Sequence, residues 1–422
     1  MKVLLKNRNL SFIIIGQFIS LIGTYMQSFA FSLYILKVTG SGTAFASLLA
    51  ISAVPRIILG PALGVLADWF DKKKILVLLD FISGIIVTIM LLLSLVGGMK
   101  IAYIYVSVIL LSLISALYNP TGSSVIPLIV KKEDLVEANS VNSLVSNTGS
   151  IVAPMISGVV YGIWGINMTL LVNAISFFAC ALLEAFVNIP YVKPVHDNQS
   201  IISQFKSDFT GGIKFMLSKK QLVKILISCL IINFAFNPMF SVGVTFICKK
   251  VIKVTDMQYG IFDSVLMVGM LIGAAFSGKM VEKIATERLL VYIFIVLGIF
   301  IGISSITIMP FYLGSFKTNI FPYGSYIAAN FMVAVFVAVA NILISTVFQQ
   351  NIPKEYMGRA MAVMATISGA ATPLGQMVFG ALFDSIPSYF IVIIDAVVFF
   401  LVAAFYKKSN ETNEAYEVSS EA

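Results

Sequence analysis

Charge is scarce in this 422-residue sequence, because Asp, Glu, Lys and Arg together make up 11% of it. A soluble domain carries about 25% charged residues, so a chain of this composition cannot cover a globular surface with polar groups. The three cysteines and the single histidine, His196, form no metal-binding or redox spacing. The sequence also lacks the Gly-Lys-Ser/Thr loop that holds nucleotide phosphates. We therefore exclude a soluble protein and predict no cofactor, no metal site and no enzymatic activity.

Hydrophobic residues make up 59% of the chain and fall into long runs. A helix of about 20 residues crosses the ~30 Å hydrocarbon layer of a membrane, and it satisfies its own backbone hydrogen bonds where water is absent. The sequence therefore predicts twelve membrane-spanning helices. We number them spans 1 to 12 and place them at residues 10–36, 44–67, 75–97, 101–128, 139–164, 166–188, 221–248, 258–281, 287–309, 324–350, 357–382 and 387–406.

A long polar interruption divides the spans six and six, and the two halves echo each other. Gly64 and Asp68 end span 2, and Gly278 and Glu282 end span 8 with the same spacing. Duplicated halves are typical of transporters whose two helical bundles rock against each other. The predicted fold is thus an all-α membrane protein with two six-helix bundles. Its predicted parts are an N-terminal bundle at 1–189, a cytoplasmic linker with an interfacial helix at 190–220, a C-terminal bundle at 221–407 and a disordered cytoplasmic tail at 408–422.

Lysine and arginine indicate the orientation, since short cytoplasmic loops carry an excess of both. With the amino terminus inside, most of them fall on the inner side, among them Lys72 to Lys74 and Lys131 with Lys132. Both termini are then cytoplasmic. The net charge of +8 reflects attraction to the anionic inner leaflet and does not indicate a nucleic-acid partner. We expect a monomer embedded in the lipid bilayer of a bacterial inner membrane.

The end of span 2 resembles the loop 2–3 signature of the major facilitator superfamily, Gly-x-Leu-Ala-Asp-basic-x-Gly-basic-basic. The matching residues are Gly64, Leu66, Ala67, Asp68, Lys72 and Lys73. Trp69 and Asp71 depart from the pattern. Gly16-Gln17 in span 1, Asp80 in span 3 and residues 355–359 are similar to the bacterial macrolide-efflux and siderophore-exporter branch. The resemblance implies a secondary active exporter of small amphipathic compounds, driven by exchange for protons.

The signature residues also have a physical interpretation as a gate. Gly64 lets two helices approach closely, Asp68 can pair with the positive amino end of a neighbouring helix, and the lysines hold the loop at the inner leaflet. Together they would form a latch that breaks when the bundles rock, although the lysines alone would also serve as topology signals. The predicted gating residues are Gly64, Asp68, Lys72, Lys73, Gly278 and Glu282.

Spans 1, 4, 7 and 10 line the transport cavity in the family that the sequence resembles, and each carries polar residues at helical spacing. Those assigned to a cavity for a small-molecule substrate are Gln17, Thr24, Gln27, Ser115, Asn119, Asn233, Asn237, Asn341 and Ser345. Their neutrality favours an amphipathic substrate over a sugar or an anion. Hydrogen bonds between neighbouring helices would also explain the pattern.

Charged residues at membrane depth are costly and usually functional. The candidates for proton coupling are Asp263, Asp80, Arg56 and Asp395. We favour Asp263 because it lies in the outer half of span 8, a gating helix. Arg56 either pairs with Asp80 or holds a carbonyl, and Glu184 either snorkels to the inner interface or stays buried.

The sequence departs from the family pattern at one position in span 4, and two other functions are alternatives to export. Many family members carry an arginine midway along span 4, where this chain has Leu111, and that weakens the case for proton exchange. A nutrient uptake carrier or facilitator would share the fold but should present several charges in its cavity. A receptor or enzyme without transport would need an extramembrane domain or a nucleophile–base pair, and the sequence shows neither.

Overall fold

The structure is a computed structural model that describes residues 7–190, 201–281 and 286–421. Within those ranges, the side chains of some helical residues lie outside the description, namely 60–62, 64–69, 201–208, 220–221, 279–281, 286–287, 354–355, 358 and 408–421. The described chain is helical and contains no strand. The predicted all-α fold is therefore confirmed.

The described part of the first half contains six α-helices. They are α1 (Arg8–Thr39), α2 (Gly42–Trp69), α3 (Lys72–Gly97), α4 (Ile101–Ile129), α5 (Leu135–Ala185) and the linker helix α6 (Ile201–Ser218). Helix α5 is 51 residues long and bends at Gly165, whose φ of 71° suits a residue without a side chain. It therefore contains both span 5 and span 6 of the prediction.

The described part of the second half contains seven more α-helices of five residues or longer. They are α7 (Lys220–Pro238), α8 (Asp256–Val281), α9 (Thr286–Ile306), the short α10 (Pro310–Gly314), α11 (Ile320–Gln350), α12 (Lys354–Ser385) and α13 (Ser388–Glu421). After α7 the chain stays helical through two wider turns of π type, Met239–Gly243 and Ile247–Val251. Helix α13 runs through the predicted tail, whose side chains are not described, so the disorder of 408–422 stays a prediction.

Eleven helical segments in the described chain are long and apolar enough to cross a membrane, by length and composition. The segment Lys132–Ala185 accounts for two of the twelve predicted spans. Large apolar side chains also point outward, for example Val96 at 90% exposure and Ile58 at 68%. Such a surface is costly in water and suits contact with lipid. The protein is a multi-pass membrane protein.

The chain divides into two compact units. The first takes in 1–40, 47–206 and 255–264, and in it α1 and α3 pack against α5. The second takes in 41–46, 207–254 and 265–422, and in it α9 packs against α11 and α13 while α12 packs against α7. From residue 207 onward the linker helix α6 belongs to the second unit. There the Phe215 ring stacks on Tyr356 of α12, with ring centroids 4.3 Å apart. The predicted boundaries at 190, 221 and 408 stay a prediction.

Candidate functional site

A cavity of about 720 Å³ lies within the first unit and is lined by α1 to α5. Its wall carries all five cavity residues that we assigned in spans 1 and 4, namely Gln17, Thr24, Gln27, Ser115 and Asn119. Helical steps of three and four place these side chains on one face of each helix. The structure thus brings them together around one space of the size that drug-like ligands occupy.

The lining is mostly neutral. Hydroxyl and amide groups alternate with aromatic rings such as Phe18, Tyr25 and Phe177. Arg56 and Asp80 are the charged residues among the described lining residues. Leu111 also lies on the wall, at the position where an arginine was expected from the resemblance. The cavity therefore offers apolar surface and scattered hydrogen-bond partners for a ligand.

Part of the polar pattern holds the helices together. The amide nitrogen of Asn173 donates to the amide oxygen of Gln27 at 2.6 Å, and Ser176 donates to the Asn173 side-chain oxygen at 3.0 Å. Gln27 and Asn173 are buried as well as lining the cavity. Of the two interpretations of the polar stripe, this pair supports the structural one, whereas Gln17, Thr24 and Asn119 have no such partner on another helix in the described chain.

The candidates in the second half lie elsewhere. A smaller cavity of about 90 Å³ within the second unit is lined by Asn233, Asn237 and Asn341. The Asn237 amide donates to the Asn233 side-chain oxygen at 2.7 Å. Ser345 is exposed and lines neither of these cavities. The described residues of each unit thus supply their own polar lining.

A cluster of buried acids lies at the edge of the larger cavity. One ligand atom each of Asp80, Cys180 and Glu184 lies within 4.8 Å of the others. The Tyr118 hydroxyl donates to Glu184 Oε1 at 2.8 Å. Glu184 is fully buried, so it does not snorkel to the interface. Arg56 lines the same cavity but forms no ion pair with Asp80.

The other two predicted coupling acids differ from each other. Asp263 on α8 is half-buried, with the Tyr259 hydroxyl within hydrogen-bond reach of its carboxylate. Tyr259 in turn stacks on Phe29 of α1, with ring centroids 5.2 Å apart. Asp395 on α13 is 1% exposed, and neither of its oxygens has a hydrogen-bond partner in the described chain.

The structure describes part of the predicted gate. The side chain of Asp68 and the whole of Glu282 lie outside the described residues, as do the surroundings of Gly64. Among the described residues, a side chain at Gly278 would meet nothing within 4 Å, and the role of Gly278 in the gate stays a prediction. Lys72 and Lys73 begin α3, and the Asp71 side chain caps that helix by accepting from the backbone amides of Lys73 and Lys74 at 3.0 and 3.4 Å.

The structure contains two close helix crossings that we did not predict from the sequence. Within the first unit, α5 crosses the start of α8 at Gly158 and Gly260, where a Cβ on Gly260 would collide with the Pro154 carbonyl oxygen. Within the second unit, the start of α2 crosses α12, where a Cβ on Gly380 would lie 2.7 Å from the Gly42 carbonyl oxygen. Glycine is the residue that allows backbones to approach this closely.

A carboxylate reinforces the second crossing. Asp384, near the end of α12, accepts from the backbone amides of Gly42 and Thr43 at 2.5 and 3.0 Å. It also accepts from the hydroxyls of Ser41 and Thr43, both at 2.7 Å. The negative charge thus satisfies the free amides at the positive amino end of α2. No sequence pattern pointed to Asp384, because its partners are more than 300 positions away.

Apolar helices, a ligand-sized cavity within a helical unit and buried acids beside it define a class of protein, the polytopic α-helical transporter. The sequence model of the Major Facilitator Superfamily matches residues 13–375 and 253–422, and the chain belongs to this family. It is therefore a membrane transporter and not an enzyme.

Relatives carry the comparison further. Macrolide efflux protein A of Streptococcus pyogenes is 23% identical over 368 residues, which cover 87% of each chain. The enterobactin exporter EntS of Escherichia coli O1:K1 is 24% identical over 336 residues, which cover 76% of this chain and 72% of the relative. The resemblance to the efflux branch of the family is thereby confirmed.

Solved structures share the fold at lower identity. A bacterial homologue of the iron transporter ferroportin, in its inward-facing state, is 14% identical with a TM-score of 0.73, over 95% of this chain and 98% of that one. The nucleoside transporter NupG is 14% identical with a TM-score of 0.72, over 94% and 98% of the two chains.

Proposed function

We propose that this protein exports small amphipathic compounds, such as drugs, macrolides or siderophores, across the bacterial inner membrane in exchange for protons. The observation that carries the proposal is the cavity of about 720 Å³ with its neutral and aromatic wall. A pocket of this kind binds ligands through apolar contact and a few hydrogen bonds. The named activities of the relatives, macrolide efflux and enterobactin export, support export rather than uptake.

Alternating access supplies the mechanism. Rocking of two bundles would open the cavity first to one side of the membrane and then to the other. The glycine crossings at Gly158–Gly260 and Gly42–Gly380 are sites where helices of one unit meet without intervening side chains, so they would keep those helices together while the bundles rock. The latch of Gly64, Asp68, Lys72, Lys73, Gly278 and Glu282 belongs to the same proposal, on the cytoplasmic side.

Proton exchange needs an acid that is charged in one state and neutral in another. Asp263 fits a gating role, since it lies about one turn from Gly260 on α8 and is held by Tyr259. Asp80 fits a role in the cavity, which it lines. Arg56 and Asp395 also remain candidates for proton coupling, because each is a charged residue within a predicted membrane span. We further propose that the protein works as a monomer with both termini in the cytoplasm.

An efflux screen tests this function. Cells that lack or overproduce the protein are loaded with antibiotics, dyes or siderophores, and release is followed with and without a protonophore. We expect overproduction to speed release of at least one amphipathic compound, and the protonophore to abolish that gain. If overproduction makes the cells accumulate the compound, the protein does not export it. If the protonophore does not slow the release, export is not driven by exchange for protons.

A pair of variants ties the activity to the cavity. Ser115→Leu adds apolar bulk to the cavity wall and removes a hydroxyl, so efflux of the identified compound should fall by about tenfold, the effect of losing roughly 1.4 kcal/mol of binding. Thr88→Leu is the matched control. The Thr88 hydroxyl donates a hydrogen bond to the Gly84 carbonyl oxygen within α3 at 2.7 Å. Thr88 does not line the cavity. Equal efflux by both variants would show that the compound does not bind at this part of the cavity wall.

A further inference from the structure

Two buried carboxylates, Asp80 on α3 and Glu184 on α5, face each other at the edge of the larger cavity. Asp80 is 3% exposed and Glu184 is fully buried. Their oxygens lie within 4.8 Å of each other and of the Cys180 thiol. Each carboxylate also has one oxygen, Asp80 Oδ2 and Glu184 Oε2, with no hydrogen-bond partner in the described chain. Two negative charges in this position would repel each other, because burial removes most of the hydration that would weaken the repulsion.

We infer that Asp80 and Glu184 share one proton and form the site at which this transporter takes up and releases its coupling ion. The inference rests on the proposed exchange of substrate for protons and assigns that exchange to one place. It moves the coupling site from Asp263, which the sequence favoured, to a pair that the sequence did not bring together.

Among the described residues, the groups that face the two acids are neutral. From α4, the Tyr118 hydroxyl donates to Glu184, and from α5 the Cys180 thiol lies beside both acids. From α1, Gly16 packs against Cys180. Arg56 on α2 reaches the cavity, but no lysine or arginine of the described chain lies within 4 Å of either carboxylate.

The pair opens toward the cavity. Asp80 and Tyr118 line the cavity, whereas Glu184 lies behind them. A cluster of fully buried apolar residues lies next to the pair. It includes Leu76, one turn before Asp80 on α3, and Val187, three residues after Glu184 and just beyond the end of α5. The Tyr118 ring packs against this cluster. Water can therefore reach Asp80 from the cavity, and the apolar cluster separates Glu184 from the inner end of the helices.

The exchange step is a simple proton transfer. The O–H bond of the protonated carboxyl at Asp80 breaks, the proton passes to water in the cavity, and both electrons of the bond remain on the carboxylate. The second charge is tolerated while a substrate dipole, a substrate cation or water faces Asp80. When the substrate leaves, the pair takes up one proton again, because two bare carboxylates at this distance are unfavourable.

The same atoms suit a second ligand chemistry, which the experiment must separate. Two carboxylate oxygens and a thiol could hold a divalent transition metal. A metal site built from all three atoms would use Cys180 as a ligand, whereas a shared proton does not involve the thiol. Cys180→Ala therefore distinguishes the two, since it removes the thiol and leaves both acids in place.

Infrared spectroscopy of the purified full-length protein tests the proton directly, without a substrate. A pH jump across the neutral range should remove a carboxylic-acid C=O band from the wild-type spectrum. The band should be absent from the Asp80→Asn/Glu184→Gln double variant and present in Cys180→Ala. Tyr118→Phe should shift its frequency, because Glu184 loses a hydrogen-bond donor. A double-variant spectrum identical to that of the wild type would overturn the inference. So would binding of Mn²⁺ or Zn²⁺ that the wild type shows and Cys180→Ala loses.

Transport measurements in everted vesicles connect the pair to coupling. Asp80→Asn and Glu184→Gln should each lose the stimulation of efflux by a pH gradient and keep downhill exchange of the same compound. Glu133→Gln is the control, because Glu133 is exposed beside Lys131 on the surface, and it should behave like the wild type. Full gradient-driven efflux from Glu184→Gln, with loss in Asp263→Asn, would place coupling at Asp263. If the wild type shows no dependence on the gradient, the proposed function fails, whereas the infrared result still decides whether the pair holds a proton.

Discussion

Asp71 stands where the major facilitator signature has glycine, and its side chain performs a local task. The carboxylate accepts from the amides of Lys73 and Lys74 at the start of α3. Its backbone is extended, with φ −62° and ψ 110°, which is the usual conformation of an N-cap residue. The departure from the signature thus replaces a flexible turn with a capped helix start directly before the three lysines.

Removing this cap should lower stability. Asp71→Ala leaves two amides of the first turn without their partner, at a cost of about 1 kcal/mol. We expect the melting temperature of the purified protein in detergent to fall by a few degrees. Asp71→Asn retains an acceptor oxygen and should melt close to the wild type. An Asp71→Ala protein that melts with the wild type would show that the cap contributes nothing measurable.

At the scale of elements, the crossing of α5 and α8 depends on the absence of side chains. The position of Gly260 leaves room for hydrogen but not for a methyl group, since backbone atoms of α5 surround it. Gly162, one turn beyond Gly158 on α5, differs, because its added Cβ would meet Asp256 at an ordinary 3.5 Å. The two glycines therefore separate the effect of close approach from the general effect of alanine in a helix.

Gly260→Ala should disturb the crossing and Gly162→Ala should not. The neighbour of the added methyl group is backbone, so the helices must separate, at about 1–3 kcal/mol for an overpacked contact. We expect efflux to fall by about tenfold in Gly260→Ala while the protein remains in the membrane. Gly162→Ala should retain wild-type efflux, measured under the same conditions. Equal rates for both variants would mean that the crossing tolerates separation and that transport does not depend on the close approach of the two helices.

At the scale of the whole molecule, the lysines predict which side of the membrane each loop faces. The positive-inside rule places the loop at Lys100 and the loop at Lys317 outside, and those at Lys132 and Lys219 inside. All four side chains are exposed in the structure, so a cysteine at any of them would be reachable by a reagent on its own side. The native Cys180 and Cys248 are buried, and Cys229 is partly buried.

Labelling with a membrane-impermeant maleimide tests that map. In a background without native cysteines, Lys100→Cys and Lys317→Cys should react in intact cells. Lys132→Cys and Lys219→Cys should react after the membrane is opened. If either inner position reacts in intact cells while the outer positions do not, the predicted orientation is wrong and both termini lie outside.

The sequence by itself determined the membrane location, the helical class and the family. These properties depend on long apolar runs and on a local signature, and both can be read along the chain because lipid requires helices to satisfy their own backbone groups. The polar faces of spans 1 and 4 could also be predicted from the sequence. Helical periodicity fixes which side chains share a face, and in the structure all five assigned residues line one cavity.

The tertiary structure alone decided which charged groups meet. Glu184 and Asp80 are about a hundred positions apart, and Asp384 is still farther from the amino end of α2 that it caps. Nothing local distinguishes Glu184, a buried member of a pair, from an acid that reaches the interface. Whether a carboxylate at membrane depth has a neighbour depends on how the helices pack in three dimensions, since the cost of its charge is set by its surroundings and not by its place in the chain.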